Sequence, residues 1–319
     1  MSTPLAYVVA NPSKPAATGT LRRHLEAELQ AAGYRVRHLR TTPQSPGTQQ
    51  ARQALDAGAA LVVVAGGDGT LRCVAGELAG TSTPLGVLPL GTANLTARAL
   101  GLPVGGRRAR QRAAQVAASG TPQPVDLLQV STCGPGGPWH PCLTVAGTGF
   151  DADLVASTQA ALKGRIGWLA YAVAALGNLG GPRRDFQLTV SPAVGAGSTP
   201  GQTEQLRART VLLANGGHLP AGIRLLPHAR LDDGTLDVAA IDVRGSLLGW
   251  ADLACQVLPP HAGRYRRSGL ATVRLRQGRE AALRCEQPVP VQVDGDLLPS
   301  TTSLLVRLEP GALQVMRPA

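Results

Sequence analysis

Residues Leu61–Thr70 read LVVVAGGDGT, and this stretch decides the fold. Its leading run of apolar, β-branched residues predicts a strand buried on both faces, as in a parallel sheet. The glycines that follow allow a tight turn and a close approach of backbone to ligand, which a Cβ would obstruct. Asp68 brings a carboxylate to that turn, able to bind a hydroxyl or a magnesium ion. Thr70 is placed to cap the next helix, whose N-terminal amides favour phosphate. Together these features suggest a nucleotide phosphate site at a strand end. The plain alternative is a glycine-rich strand–helix turn with a capping aspartate.

Working outward, the first third alternates strand and helix. Strands are expected at Tyr7–Ala10, Tyr34–Leu39, Leu61–Ala65 and Leu85–Leu90. Helices are expected at Leu21–Leu29, Thr48–Ala57, Leu71–Ala79, Thr92–Leu100 and Arg107–Ala118. Repeated units of this length predict a mostly parallel, Rossmann-like sheet with helices on both faces. After Val125 strands dominate: Leu127–Val130, Cys142–Ala146, Phe186–Val190, Thr210–Ala214, Leu236–Ile241, Val273–Leu275, Val289–Val293 and Leu304–Leu308. Turn-rich spacers such as Cys133–Pro138 and Ser191–Gln202 separate them, the pattern of an antiparallel sandwich. Two helices, Ile166–Leu179 and Ser246–Leu258, interrupt it. The expected organisation is an α/β domain over residues 1–126 and a β-rich domain over 127–319, the last strand a candidate to return to the first domain. A ligand cleft between the two is the default site.

The chain has 319 residues and a formal charge of +11, so its surface attracts anions: nucleic acid, lipid headgroups or a polyphosphate substrate. Aromatic residues make up only 3%, which argues against base-stacking surfaces and hence against nucleic acid. Lys14 and Lys163 are the only lysines; the charge is carried by arginine, a usage that a GC-rich genome alone would also produce. The five cysteines are scattered with no CxxC pair, which argues against a disulfide framework and a structural zinc site and fits a reducing cytoplasm. The N-terminal apolar run is too short for a signal peptide, and the apolar run Trp168–Leu179 is too short to span a bilayer. The reading is a cytoplasmic protein, at most peripheral to a membrane.

A second glycine-marked strand end, Pro89-Leu90-Gly91-Thr92-Ala93-Asn94, is expected on the same sheet edge as the Asp68 turn, where open α/β sheets bind ligands. No GxxxxGK[ST], HRD or DFG motif occurs, so the usual NTPase and protein-kinase templates fail. Gly147-Thr148-Gly149-Phe150-Asp151-Ala152 matches GxGxxA but lies in the β-rich half with no acid about 20 positions on, so a turn beside the cleft is the better reading. Asp294-Gly295-Asp296 follows a strand: by its chemistry a solvated turn, with a general base for a hydroxyl as the alternative. Asp232-Asp233-Gly234-Thr235 before a strand reads as a turn, although carboxylate and carbonyl oxygens also suit magnesium. The six histidines stand in no recognisable catalytic spacing.

Taken in order, these pieces resemble the soluble bacterial lipid kinases of the diacylglycerol kinase catalytic-domain family, distant relatives of sphingosine kinase and NAD kinase. The resemblance spans nearly the whole chain: Asn11-Pro12, Thr42, Gly66–Thr70, Pro89–Asn94, Gly147–Ala152, Asn215-Gly216-Gly217, Asp232–Asp237 and Val293–Asp296. It implies an NAD kinase/diacylglycerol kinase-like fold and an ATP- and Mg2+-dependent transfer of phosphate to a lipid hydroxyl. It places ATP against Asn11, Thr42, Gly66, Gly67, Asp68, Gly69, Thr70, Thr92 and Asn94. It makes Asp296 the proton acceptor, with Asp294 beside it in the same acidic turn, and maps a structural magnesium to the carbonyls of Arg230 and Thr235 and the side chain of Asp233. A membrane lipid substrate, transient contact with an anionic membrane surface and a sheet edge able to support a homodimer complete what it implies.

This sequence departs from the family pattern at three places. Asp296 replaces the usual Glu and is one methylene shorter, Arg72-Cys73 replaces Asn-Glu, and Asn94-Leu95 replaces Asn-Asp. Two acids are thus absent near the expected Mg–ATP site. The alternatives are a kinase of a soluble metabolite, NAD kinase-like, and a nucleotide- or lipid-binding protein that has lost catalysis.

Overall fold

The computed structural model describes residues 3–14, 16–149, 182–192, 201–217, 226, 228–245, 247–257 and 269–318. The chain divides into two units, Met1–Leu127 with Pro310–Ala319, and Leu128–Glu309.

In the first unit, β1 (Leu5–Ala10), β2 (Arg35–Arg40), β3 (Leu61–Gly66) and β4 (Leu85–Pro89) form a parallel sheet in the order β4–β3–β1–β2. The chain runs from β1 outward to β2, then returns to the other side of β1 as β3. The switch point of the sheet therefore lies between β1 and β3, where ligands of such sheets bind. β3 is buried throughout, as its unbroken apolar run requires. Helix α1 (Gly19–Ala31) starts at Thr18, whose hydroxyl accepts from Leu21 N at 3.2 Å, and buries Leu21, Leu25 and Leu29 at four-residue spacing.

α1 and α5 (Arg107–Ser119) cover one face of the sheet, packing on Ala6, Val8, Leu61, Val63 and Leu88. α5 offers only alanines there, Ala113, Ala114, Ala117 and Ala118, so it approaches closely: a Cβ on Gly86 would stand 3.0 Å from the Ala117 carbonyl oxygen. α2 (Thr48–Asp56) and α3 (Asp68–Leu78) pack against each other on the opposite face. At the sheet edge, β2 is mostly exposed and carries Arg35, Arg37 and Arg40, charges that discourage edge-to-edge pairing.

Two expectations shift here. The helix after the first glycine turn begins at Asp68, so Thr70 sits inside its first turn and Gly67 is the N-cap, with no capping side chain. The helix expected over Thr92–Leu100 is shortened to α4 (Leu95–Ala99), because Gly91–Asn94 form a turn with Asn94 left-handed at φ 47°.

β5 (Thr121–Ser131) leads into the second unit, which is antiparallel. Its strands are β6 (His140–Cys142), β7 (Val145–Gly149), β8 (Arg184–Ser191), β9 (Gln202–Ala208), β10 (Thr210–Ala214), β11 (Leu236–Val243), β12 (Ala271–Gly278), β13 (Glu280–Val293) and β14 (Asp296–Arg317), with α6 at Leu247–Val257. The first half of β13 pairs with β8, and β8 with β9; its last residues pair with β7, which continues to β10, β11 and β12. Register shifts in the β13–β14 pairing between Arg284 and Val291 mark the change of partner.

Side-chain alternation divides the burial. Val211, Leu213, Val238 and Ala240 join Phe186, Leu188 and Leu283 in one core, while Leu212, Ala239, Ile241 and Val243 pack with Leu253 and Val257 of α6. β14 runs on to pair its Val315 with Leu85 of β4, parallel, in the first unit. A parallel α/β unit followed by an antiparallel β-rich unit is thus the fold expected.

Three local readings change. The single strand expected over Cys142–Ala146 breaks into β6 and β7, since the amides of Leu143, Thr144 and Val145 bond to a side chain. Gly147–Gly149, read as part of a turn, lie within β7. β9 was hidden because its sequence, QTEQLRA, is polar. The expected helix Ile166–Leu179 lies outside the described residues.

Candidate active site

Four adjacent strands end together in the first unit. Ala10 pairs with Arg40 and Ala65, and Gly66 with Pro89. Asn11, the Gly66–Asp68 turn, the Gly91–Asn94 turn and Thr42 therefore follow strands spaced about 4.8 Å apart along one edge. The two glycine turns touch through backbone. A Cβ on Gly91 would lie 2.9 Å from Gly67 Cα and 2.8 Å from Asn94 Oδ1; one on Gly67 would lie 3.3 Å from Gly91 Cα. Contact thus requires glycine at position 91 and leaves little room for a side chain at position 67, whatever binds there.

Across the switch point, Asn11 Nδ2 donates to Thr70 Oγ1 at 3.4 Å, and Asn11 Oδ1 accepts from the Ser13 amide and hydroxyl. Asn94, 6% exposed, closes its turn with both ends of its amide: Oδ1 accepts from Gly91 N and Nδ2 donates to Gly91 O, each at 2.8 Å. Asp68 lies in the first turn of α3, and its Oδ1 accepts from Thr96 N at 3.3 Å. A small recess between the turns is lined by Gly66, Gly67, Asp68, Pro89 and Asn94. Thr92 is exposed at the turn's tip, and Thr42 is exposed in a turn closed on Ser45.

Sequence reasoning missed one cation here. The Lys14 ammonium sits over the first turn, 3.5 Å from where a Gly67 Cβ would be. One of only two lysines, four residues past the end of β1, was a legible signal. The amides at the start of α3, glycines without side chains and a lysine above them can cradle a phosphate chain.

In the second unit, Asp294 and Gly295 form a two-residue hairpin between β13 and β14, with φ of 48° and 88°. Both values are left-handed, as a type I′ turn requires, and Asp-Gly suits it. The half-buried Asp294 carboxylate accepts from Leu143 N (2.7 Å), Thr144 N (2.8 Å), Val145 N (3.1 Å) and the Thr144 hydroxyl (2.6 Å). The Cys142 thiol adds a contact at 3.6 Å. With three hydrogen bonds to Oδ1 and one to Oδ2, this carboxylate fastens the hairpin to the β6–β7 connection, so its geometry is that of a positioning group. From the other side, Asn215 Nδ2 donates to Leu143 O, and Asn215 N and Gly216 N both donate to Thr144 O. Asp296, the first residue of β14, is exposed at the hairpin's end.

The loop before β11 lies at the same end of this sheet. Val293 pairs with Ala146, Val145 with Ala214 and Ala214 with Asp237, so three strand spacings, about 14 Å, separate the hairpin from Asp237. In the loop Asp233 Oδ1 accepts from Thr235 N at 2.9 Å, and Arg230 pairs with Asp232 at 3.0 Å. Among the described residues no three His, Cys, Asp or Glu side chains gather into a metal cluster.

Asp237 is nonetheless informative. It is buried, its Oδ1 accepts from Gln277 Nε2, and its Oδ2 has no hydrogen-bond partner among the described residues. Burial raises its pKa, against the Gln277 bond, and the nearby charge of Asp233 adds to the rise. An orphaned carboxylate oxygen beside a second carboxylate would gain from a cation, so the donors here fit a hard divalent ion.

Among the described residues no disulfide joins the cysteines, and no described helix is long and apolar enough to cross a membrane.

Comparison with known proteins gives this geometry a family. The description "Diacylglycerol kinase catalytic domain" matches residues 5–130, and "YegS C-terminal NAD kinase beta sandwich-like domain" matches residues 144–317. A protein of Pseudomonas putida named "Probable lipid kinase YegS-like" is 30% identical over 300 residues, covering 93% of this chain and 90% of its own. A protein of the same name from Stenotrophomonas maltophilia is 33% identical over 195 residues, a match that spans 59% of this chain and 58% of its own length. The fold of a diacylglycerol kinase from Bacillus anthracis strain Sterne superposes with a TM-score of 0.70 at 20% identity, covering 99% of this chain and 98% of that one. The chain belongs to the YegS-like lipid kinase family, with its diacylglycerol kinase catalytic domain and NAD kinase-like β-sandwich.

Proposed function

We propose that this protein transfers the γ-phosphate of ATP to the hydroxyl of a membrane lipid. The observation that carries the reading is the pair of glycine turns in backbone contact beside the switch point, with the Lys14 ammonium above the first of them. The amides of Gly69 and Thr70 at the start of α3 bind phosphate oxygens, Lys14 offsets their charge, and Asn11 and Asn94 hold the two turns in shape. Asp296 accepts the proton of the attacking lipid hydroxyl, and Asp294 positions it through the hairpin. Magnesium bound with ATP supplies charge neutralisation at the transferring phosphoryl group. A second, structural magnesium would be held by the carbonyls of Arg230 and Thr235 and the carboxylate of Asp233. On this reading the enzyme is cytoplasmic and reaches its substrate by transient contact with an anionic membrane surface.

The replacement of two family acids by Cys73 and Leu95 favours one second reading, a protein that binds nucleotide without transferring phosphate. Labelled γ-phosphate from Mg–ATP, offered with total lipid extract in mixed micelles, separates the two. Label in a chloroform-soluble product supports the kinase. Protein that binds ATP and labels no lipid overturns it.

A further inference from the structure

The N-terminal half of α5 reads Arg107-Arg108-Ala109-Arg110-Gln111-Arg112. Four guanidinium groups thus crowd less than two turns at the end of a helix where the backbone dipole repels cations, and the first turn holds no acid. None of the four has a hydrogen-bond or ion-pair partner for its side chain among the described residues. Several arginines elsewhere find carboxylates: Arg52 with Glu77, Arg183 with Asp242, Arg276 with Glu204 and Arg307 with Glu280. Among the described residues no carboxylate pairs with this patch, and its location is fixed by packing.

The buried alanines hold the C-terminal half of α5 against the start of β4, with Gly86 beside Ala117 and Gly120 beside Arg317. The helix spans about 20 Å, so its arginine end projects towards the opposite edge of the sheet, where β3 and β4 end in the glycine turns. Arg98 adds a further cation at that edge, its Nε donating to Ala93 O at 3.0 Å. Arg107, Arg108 and Arg112 are exposed.

We propose that this end of α5 is the surface by which the protein docks on anionic phospholipid, setting the glycine-turn edge of the first unit towards the bilayer. The proposal rests on the lipid-kinase reading for its choice of partner. The net charge of +11 and the unpaired guanidinium groups complement a phosphodiester surface. α5 has no aromatic residue on which a nucleic-acid base would stack.

The test uses the full chain and phosphatidylcholine vesicles with and without phosphatidylglycerol at ~0.1 M salt. The wild type should sediment with the anionic vesicles only. The triple variant Arg107→Gln, Arg108→Gln, Arg112→Gln should bind them about a hundredfold more weakly, roughly fivefold per arginine. Its Mg–ATP affinity should be unchanged and its melting temperature equal or higher, because cations leave a helix N-terminus. Equal vesicle binding by the two proteins, or equal binding of wild type to neutral vesicles, overturns the proposal. So does retention of duplex DNA in preference to anionic vesicles at the same salt, lost in the triple variant. Failure of the kinase reading shows separately: vesicle binding that needs these arginines, in a protein that labels no lipid, keeps the docking face and sinks the reaction.

Discussion

The two acid-bearing turns of this protein solve opposite problems. The Gly66–Thr70 turn is built from what is missing: glycines without side chains let it meet the Gly91 turn backbone to backbone. The Asp294–Asp296 hairpin is built from what is present, a carboxylate that takes four hydrogen-bond donors to hold one short turn in place. The first turn is specified by contact distance and the second by charge. A sequence shows "Gly" and "Asp" in both, and only their partners tell the roles apart. The two acids of the hairpin differ in setting, Asp294 turned in to the fold and Asp296 exposed at the surface.

The largest expected effect breaks the second turn. Asp294→Ala would leave the amides of Leu143, Thr144 and Val145 without their acceptor, at a cost of about 3 kcal/mol or more. Chemical denaturation should show that loss, and phosphate transfer should fall with it. Gly91→Ala breaks the first turn instead. Its new Cβ would press on Gly67 Cα at 2.9 Å and Asn94 Oδ1 at 2.8 Å, so a cost of about 1–3 kcal/mol is expected with weaker ATP binding by calorimetry. A tight-binding Gly91→Ala protein would show that the turns need not touch. Asn94→Ala removes both bonds that close the same turn, at about 1 kcal/mol, and should lower ATP affinity more than its stability loss explains.

How much of this was legible depends on whether a feature is local. β3 and its glycines were readable because burial on both faces and backbone closeness each leave a composition signature in a few residues. The same is true of α1, whose leucines recur every four residues. The break between β6 and β7 was not readable: its cause, Asp294, lies about 150 positions downstream in the chain. β9 escaped because an exposed strand needs no apolar alternation. Around the candidate site, the motifs placed glycines and acids at strand ends, while the donors that surround Asp294, the clamp by Asn215 and the place of Lys14 arise from tertiary contacts.

The smallest effect sharpens the contrast of filled and unfilled carboxylates. Unlike Asp294, Asp237 is buried with one oxygen unpartnered, and burial raises its pKa above the ordinary 3.8. The folded chain therefore holds this proton more tightly than the unfolded chain. Native stability should decline as pH rises from 3.8 through the raised value. Asp237→Asn should remove that decline and melt slightly higher than wild type at neutral pH without divalent ions. Adding magnesium should narrow the gap by stabilising the wild type more than the variant. An unchanged pH–stability curve in the variant would show that the carboxylate is solvated in solution.

The most direct measurement is lipid phosphorylation by Asp296→Asn beside wild type, with melting temperature and ATP affinity taken on the same preparations. The expected result is unchanged melting and ATP binding with transfer reduced by roughly 100-fold or more, the scale of a lost general base. A variant that folds, binds ATP and still phosphorylates lipid at the wild-type rate would contradict the assignment of proton transfer to Asp296.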